Sequence, residues 1–85
     1  MWKLEKISVE SYSGYKLHES PRAFTFRGRR YIIREIIDRW YEGSVRSDDP
    51  VINYFKVRVD DGRNYVIRYN SYQDEWDIVI RFLSG

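Results

Sequence analysis

The stretch Phe55-Lys56-Val57-Arg58-Val59-Asp60-Asp61-Gly62-Arg63-Asn64-Tyr65-Val66-Ile67-Arg68-Tyr69 decides the fold. Apolar residues recur at every second position on both sides of Asp60-Asp61-Gly62, which is the period of half-buried strands. The faces fix the turn length. A two-residue loop at Asp61-Gly62 pairs Arg58 with Tyr65 and sets the two apolar faces on opposite sides. A three-residue loop over Asp60, Asp61 and Gly62 pairs Val59 with Arg63, Val57 with Tyr65 and Phe55 with Ile67. The apolar faces then coincide, and Gly62 takes the left-handed position of a bulged hairpin turn, where glycine is favoured. The three-residue loop is the expected one.

The pattern extends in both directions. Trp76, Ile78, Ile80 and Phe82 alternate with Asp77, Val79 and Arg81, so a third strand completes an antiparallel meander. Its expected inner face also holds Tyr69. Upstream, Phe24 and Phe26 precede Arg27-Gly28-Arg29-Arg30, and Tyr31 and Ile33 follow. A two-residue Gly28-Arg29 turn pairs Phe26 with Tyr31 and Phe24 with Ile33. Beyond it, Ile32, Ile33, Ile36, Ile37 and Trp40 fit a helical stripe. They also fit a strand with a bulge near Arg34-Glu35 that keeps Ile36 and Trp40 inward. Isoleucine content and the preceding hairpin favour the bent strand, with a short helix near residues 31–41 as the other reading. Trp2 to Val9 adds a further strand. The expectation is a mainly β chain: a small antiparallel barrel, or a strongly curved meander, of five to six strands. Trp2, Trp40 and Trp76 are all expected in its core.

Composition sets the outer bounds. Eighty-five residues make one domain, spanning residues 1–85. A chain this short buries only about 60% of its unfolded surface. Its 18% aromatic content therefore has a structural use, because large rings fill a small core efficiently. Cysteine is absent, which excludes a disulfide framework and thiolate metal sites. The N-terminal residues alternate polar and apolar, unlike a secretory signal, and no apolar run approaches the roughly 20 residues of a membrane helix. The expected setting is cytoplasmic, with no membrane partner. Turn-forming residues cluster in two loops, Ser11 to Pro21 and Gly43 to Pro50.

Candidate functional residues are basic and aromatic. Arg22, Arg27, Arg29, Arg30 and Arg34 fall within thirteen residues that contain no acid, although the whole chain carries only +2. Three of them mark a hairpin tip. Guanidinium groups present paired donors suited to phosphate, and a protruding basic hairpin tracks a nucleic-acid backbone. The bland alternative is a solvated turn whose charges pair with Glu35, Asp38, Asp48 or Asp49. Lys56, Arg58, Arg68 and Arg81 share the outer face of the meander with Tyr54 and Val66. Basic side chains and an aromatic on a curved sheet suit single strands of DNA or RNA; the alternative is an ordinary wet face. Tyr12, Tyr15, Tyr41 and Tyr72 lie in or beside loops, where aromatics near arginine also make protein contacts.

Nothing points to catalysis. His18 is the lone histidine and sits in a loop. Asp48-Asp49, Asp60-Asp61 and Asp74-Glu75 occur in turns, where Asp side chains bond to nearby backbone N–H groups. No cofactor or metal is expected. The reading is a non-catalytic binding module that meets nucleic-acid phosphates through its arginine hairpin. The alternative is a protein–protein adaptor with an aromatic contact surface and an acidic partner.

The motif Pro21-x-x-Phe24-x-x-Arg27-Gly28-Arg29-Arg30-Tyr31-x-Ile33, followed by Trp40, resembles a family of small, uncharacterised bacterial domains. Tyr54-Phe55-x-Val57-x-Val59-Asp60-Asp61-Gly62, then Tyr65, Ile67 and Trp76-x-Ile78, agree with it, so the resemblance spans about residues 21 to 82. Members stand alone or form C-terminal extensions of Y-family DNA polymerase-like proteins. The resemblance implies a bacterial cytoplasmic setting and, for some members, proximity to DNA repair; it brings no activity.

Overall fold

The computed structural model describes residues 2–11, 21–42 and 52–81, without the side chains of Trp2, Ser11, Tyr41 and Arg81. Ser11 and Pro21, the ends of the first expected loop, belong to strands, while the rest of that loop and all of the second, with Tyr12, Tyr15, His18, Asp48 and Asp49, lie outside these residues, as does Phe82. The described residues form six strands and no helix: β1 (Trp2–Ser11), β2 (Pro21–Phe26), β3 (Arg29–Glu42), β4 (Ile52–Val59), β5 (Asn64–Asn70) and β6 (Glu75–Arg81). They close into an antiparallel barrel in chain order.

Two long strands make closure possible. The first part of β1 pairs with β6 and its last residues pair with β2. In the same way, β3 begins against β2 and continues against β4. Each long strand is thus shared between two ladders, and the sheet curls onto itself. Residues 31–41 are a bent strand throughout, so the helical stripe is not used.

Turn chemistry sets the registers. At the β4–β5 hairpin, Val57 faces Tyr65 and Phe55 faces Ile67. The Gly62 amide donates to the Val59 carbonyl at 2.9 Å, and Gly62 has φ +88°. This is the three-residue turn expected from the faces. The β2–β3 hairpin differs from expectation. Its two-residue turn is Arg27-Gly28, which pairs Phe26 with Arg29 and Phe24 with Tyr31. Both registers keep Phe24, Phe26, Tyr31 and Ile33 on one face, so the apolar pattern did not distinguish them. The backbone does: φ is positive at Arg27 (+53°) and at Gly28 (+80°), the signature of a type I′ turn.

Among the described residues, seven buried side chains form the core cluster: Phe24, Tyr31, Phe55, Val57, Val59, Ile67 and Ile78. Phe24 stacks on Tyr31 at 5.1 Å and meets Tyr65 edge-on at 5.9 Å. Trp76 packs against the core as expected, 5.7 Å from Phe55. Trp40 does not. The β3–β4 ladder slips twice, between Ile33 and Glu35 and again between Ile36 and Asp38. The first bulge turns Ile36 inward against the core, as anticipated. The second reverses the alternation once more. Arg39 then lies over the Phe55 ring, 4.9 Å from its centroid, and Trp40 faces out. An extra residue on one strand shifts every later side chain to the other face.

Candidate functional site

The hairpin arginines do not gather. Successive residues of a strand leave on opposite faces, so Arg29 and Arg30 separate at once. Arg27 donates from Nε and one terminal amine to Glu5 on β1, at 3.1 and 3.0 Å. Arg30 makes the same two-pronged contact with Glu10, at 2.7 and 2.8 Å. Arg29 lies 3.7 Å from Asp61 in the β4–β5 turn, with its guanidinium over the Tyr31 ring. Each guanidinium therefore has a carboxylate beside it, Asp61 being shared between Arg29 and Arg63. The match shows in proton affinity: hydrogen bonding to Arg27 holds the Glu5 carboxyl below its ordinary pKa, and Arg30 does the same for Glu10. The carboxylates come from Glu5, Glu10 and Asp61, not from the residues named by the bland reading. Arg22 is exposed on β2, and Arg34 is exposed at the first β3 bulge.

The outer face of the meander holds a more open arrangement. Arg58 is tied to Glu35 across the β3–β4 ladder. Arg81 lies on β6, with its side chain outside the described residues. Lys56 and Arg68 make no ion pair among the described residues, and the Arg68 Nε is shielded from solvent with no hydrogen-bond partner. Register places these two in adjoining rows that cross the strands. One row runs Leu4, Val79, Val66, Lys56. The other runs Asp77, Arg68, Tyr54, Trp40. The rows are two residues apart along each strand, hence about 7 Å, and each spans four strands at about 4.8 Å per step.

A concavity of about 1010 Å³ takes in these rows and reaches the core-side residues Phe26, Tyr65, Ile78 and Ile80 as well. Leu4, Val66 and Val79 form its aliphatic side; Trp40, Tyr54 and Arg68 form its aromatic and cationic side. The Trp40 and Tyr54 rings stack nearly parallel, 5.4 Å apart with 5° between planes. The Tyr54 hydroxyl donates to Glu42 at 2.9 Å. Burial, reinforced by that bond, raises the Tyr54 pKa above its ordinary value. The phenol therefore stays neutral and fixed. Leu4 is 46% exposed and Trp40 40%. Large side chains this accessible, grouped in a hollow, are the usual mark of a contact surface.

The chain matches a family model, described as a domain of unknown function (DUF6504), over residues 4–79. It belongs to that family. No curated protein and no solved structure matches the chain. The match covers the whole β1–β6 frame of this DUF6504 domain apart from the outermost residues of its terminal strands. Among the described residues, no three or more His, Cys, Asp and Glu side chains group to hold a metal ion. No helix there is long and apolar enough to cross a membrane.

Trp40, Leu4 and Val79 belong to this outer-face group and are not among the site residues expected from the sequence. Two signals were present. Apolar doublets at Ile32-Ile33 and Ile36-Ile37 break strict alternation, as a doubly bulged strand must. The switch from Trp2 and Leu4 to Ile7 and Val9 changes parity, which sets Leu4 on the face opposite the core residues of its own strand.

Proposed function

We propose that this domain is a non-catalytic binding module and that its groove beside Trp40 and Tyr54 receives an extended segment of a partner protein. The observation that carries the reading is the outward turn of Trp40 at the second β3 bulge. A core-sized indole is thereby committed to the surface, flat against Tyr54. Trp, Tyr and Arg are the residues that dominate binding energy at protein contacts. Aromatic-lined grooves that hold extended segments are a recurrent recognition mode.

The hairpin reading loses its support because Arg27, Arg29 and Arg30 each have a carboxylate in place. Phosphates would have to displace those partners. The aromatic pair beside Lys56 and Arg68 favours single-stranded DNA or RNA as a second reading. Against it, Asp77 and Glu42 flank the same face, so the surface offers no continuous track of positive charge. The bacterial cytoplasmic setting implied by the family resemblance is kept as part of this proposal.

The test is selection from a displayed random ten-residue peptide library on the wild-type domain, with folded Trp40→Ala and Leu4→Ser variants as counter-targets. A labelled ten-nucleotide oligo-dT is titrated in parallel. The expected result is enriched peptides that lose binding to both variants. No enrichment, enrichment indifferent to both variants, or binding of the oligonucleotide alone overturns the reading.

A further inference from the structure

We infer that the segment recognised by this groove is acidic as well as apolar, and that Lys56 and Arg68 select it. The inference rests on the proposed groove reading and names the chemistry of its occupant.

The groove carries unmatched charge. Four charged residues line the concavity: Arg27, Glu42, Lys56 and Arg68. Arg27 is held by Glu5, and Glu42 accepts the Tyr54 hydroxyl. Lys56 and Arg68 are left, neither with an ion pair among the described residues. Asp77 is the cross-strand neighbour of Arg68, and Asp38 that of Lys56, yet neither pair closes to ion-pair distance. Asp38 instead accepts the Arg39 backbone amide at 2.8 Å. Lys56 is exposed and Arg68 half-buried. The Arg68 Nε is closed to solvent and has no acceptor, an uncommon deficit in folded proteins. The guanidinium thus carries a charge without a partner, and a carboxylate in the groove pairs with the accessible remainder of this half-buried side chain.

The spacing is informative too. Lys56 faces Val66, and Arg68 is two residues further along β5. This is the diagonal relation across an antiparallel pair, with backbones about 7–8 Å apart. Carboxylates two positions apart on an extended chain are separated by about 6.8 Å. An acid, any residue, then another acid, flanked by apolar side chains for the Leu4–Val79–Val66 row, matches the groove in charge and in length. A nucleic-acid strand would instead need more cations in series than two.

The experiment repeats the peptide selection on three proteins: wild type, the Lys56→Gln/Arg68→Gln double variant, and the Arg30→Gln variant as a control outside the groove, where Arg30 is held by Glu10. Selected peptides on wild type are expected to be rich in Asp and Glu beside Leu, Ile, Val or Pro. That acidic enrichment is expected to vanish on the double variant and persist on Arg30→Gln. A selected peptide resynthesised with Asn for Asp should bind wild type about tenfold more weakly, as loss of charge-assisted hydrogen bonds implies. Peptides that depend on Trp40 but carry no acid, or that bind the double variant undiminished, overturn this inference and leave the groove reading standing. Failure to select any peptide removes both.

Discussion

Replacing Phe24 by alanine tests how the barrel is held together. Phe24 is fully buried, stacked on Tyr31 and edge-on to Tyr65. Truncating a buried Phe to Ala costs about 3–5 kcal/mol, through lost transfer energy and the cavity left behind. A domain of this length has roughly 4–13 kcal/mol of stability in all, at typical values per residue. The variant should therefore lose a quarter or more of its stability. Its melting temperature should fall by about 12 °C at least, taking about 4–8 °C per kcal/mol for a domain of this size. Phe24→Leu keeps most of the volume and removes the ring. A double-mutant cycle of Phe24→Leu with Tyr31→Leu then isolates the stacking, with an expected coupling of about 0.5–1.5 kcal/mol. Urea denaturation followed by circular dichroism reads all five proteins with a shared m-value. A loss under about 1 kcal/mol for Phe24→Ala would refute the placement of this ring at the centre of the core.

Further outcomes follow from the turns and the phenols. Gly62→Ala should destabilise the protein by about 1–2 kcal/mol. No heavy atom lies within 4 Å of the added Cβ, so the positive φ alone carries the effect; an unchanged urea midpoint would contradict the assigned turn. Arg27→Asn should be neutral or stabilising by up to about 1 kcal/mol, since Asn suits the left-handed first position of a type I′ turn. The exposed Glu5 pair that it loses offsets part of that gain; marked destabilisation in the same assay counts against the register. Tyr69 has its pKa pushed up to about 12 by donation to Asp74 and by burial. The folded state thus holds this proton more tightly than the unfolded chain, whose phenol titrates near 10.0. Its contribution is fully present below pH 10 and is lost as pH rises toward 12. Tyr31 and Tyr54 are raised as well, so phenolate absorbance should show several late-titrating tyrosines, one of which moves earlier in Asp74→Ala; no movement removes the assigned cause.

What the sequence disclosed depended on whether one rule acted alone. The β4–β5 turn was legible because only one loop length brings Val57, Phe55, Tyr65 and Ile67 onto a shared face. The barrel class was legible from the same alternation in β6 and the early hairpin. The β2–β3 register was not, since a slip of two residues preserves every face and only backbone dihedrals separate the options. Trp40 was misplaced because a second bulge reverses parity after the first has set it, and strand periodicity carries no sign of how many bulges a strand contains beyond its apolar doublets. The arginine hairpin was read as uncompensated because Glu5, Glu10 and Asp61 are distant in sequence. Closure of β1 onto β2, and of the β4–β5 turn toward Arg29, brings these carboxylates in. Of the outer face, Tyr54, Lys56, Arg68 and Val66 were legible together, and the structure adds Trp40, Leu4 and Val79 to them.

The account stands most directly on where a ligand touches the barrel. The measurement is a titration of ¹⁵N-labelled domain with a selected acidic–apolar peptide, followed by amide and indole shifts in two-dimensional NMR. The expected shifts fall on the Trp40 indole and on the amides of Tyr54, Val66, Arg68 and Val79, with Arg29 and Arg30 unmoved. Shifts confined to the Arg27–Arg30 hairpin, with the Trp40 indole silent, would contradict it.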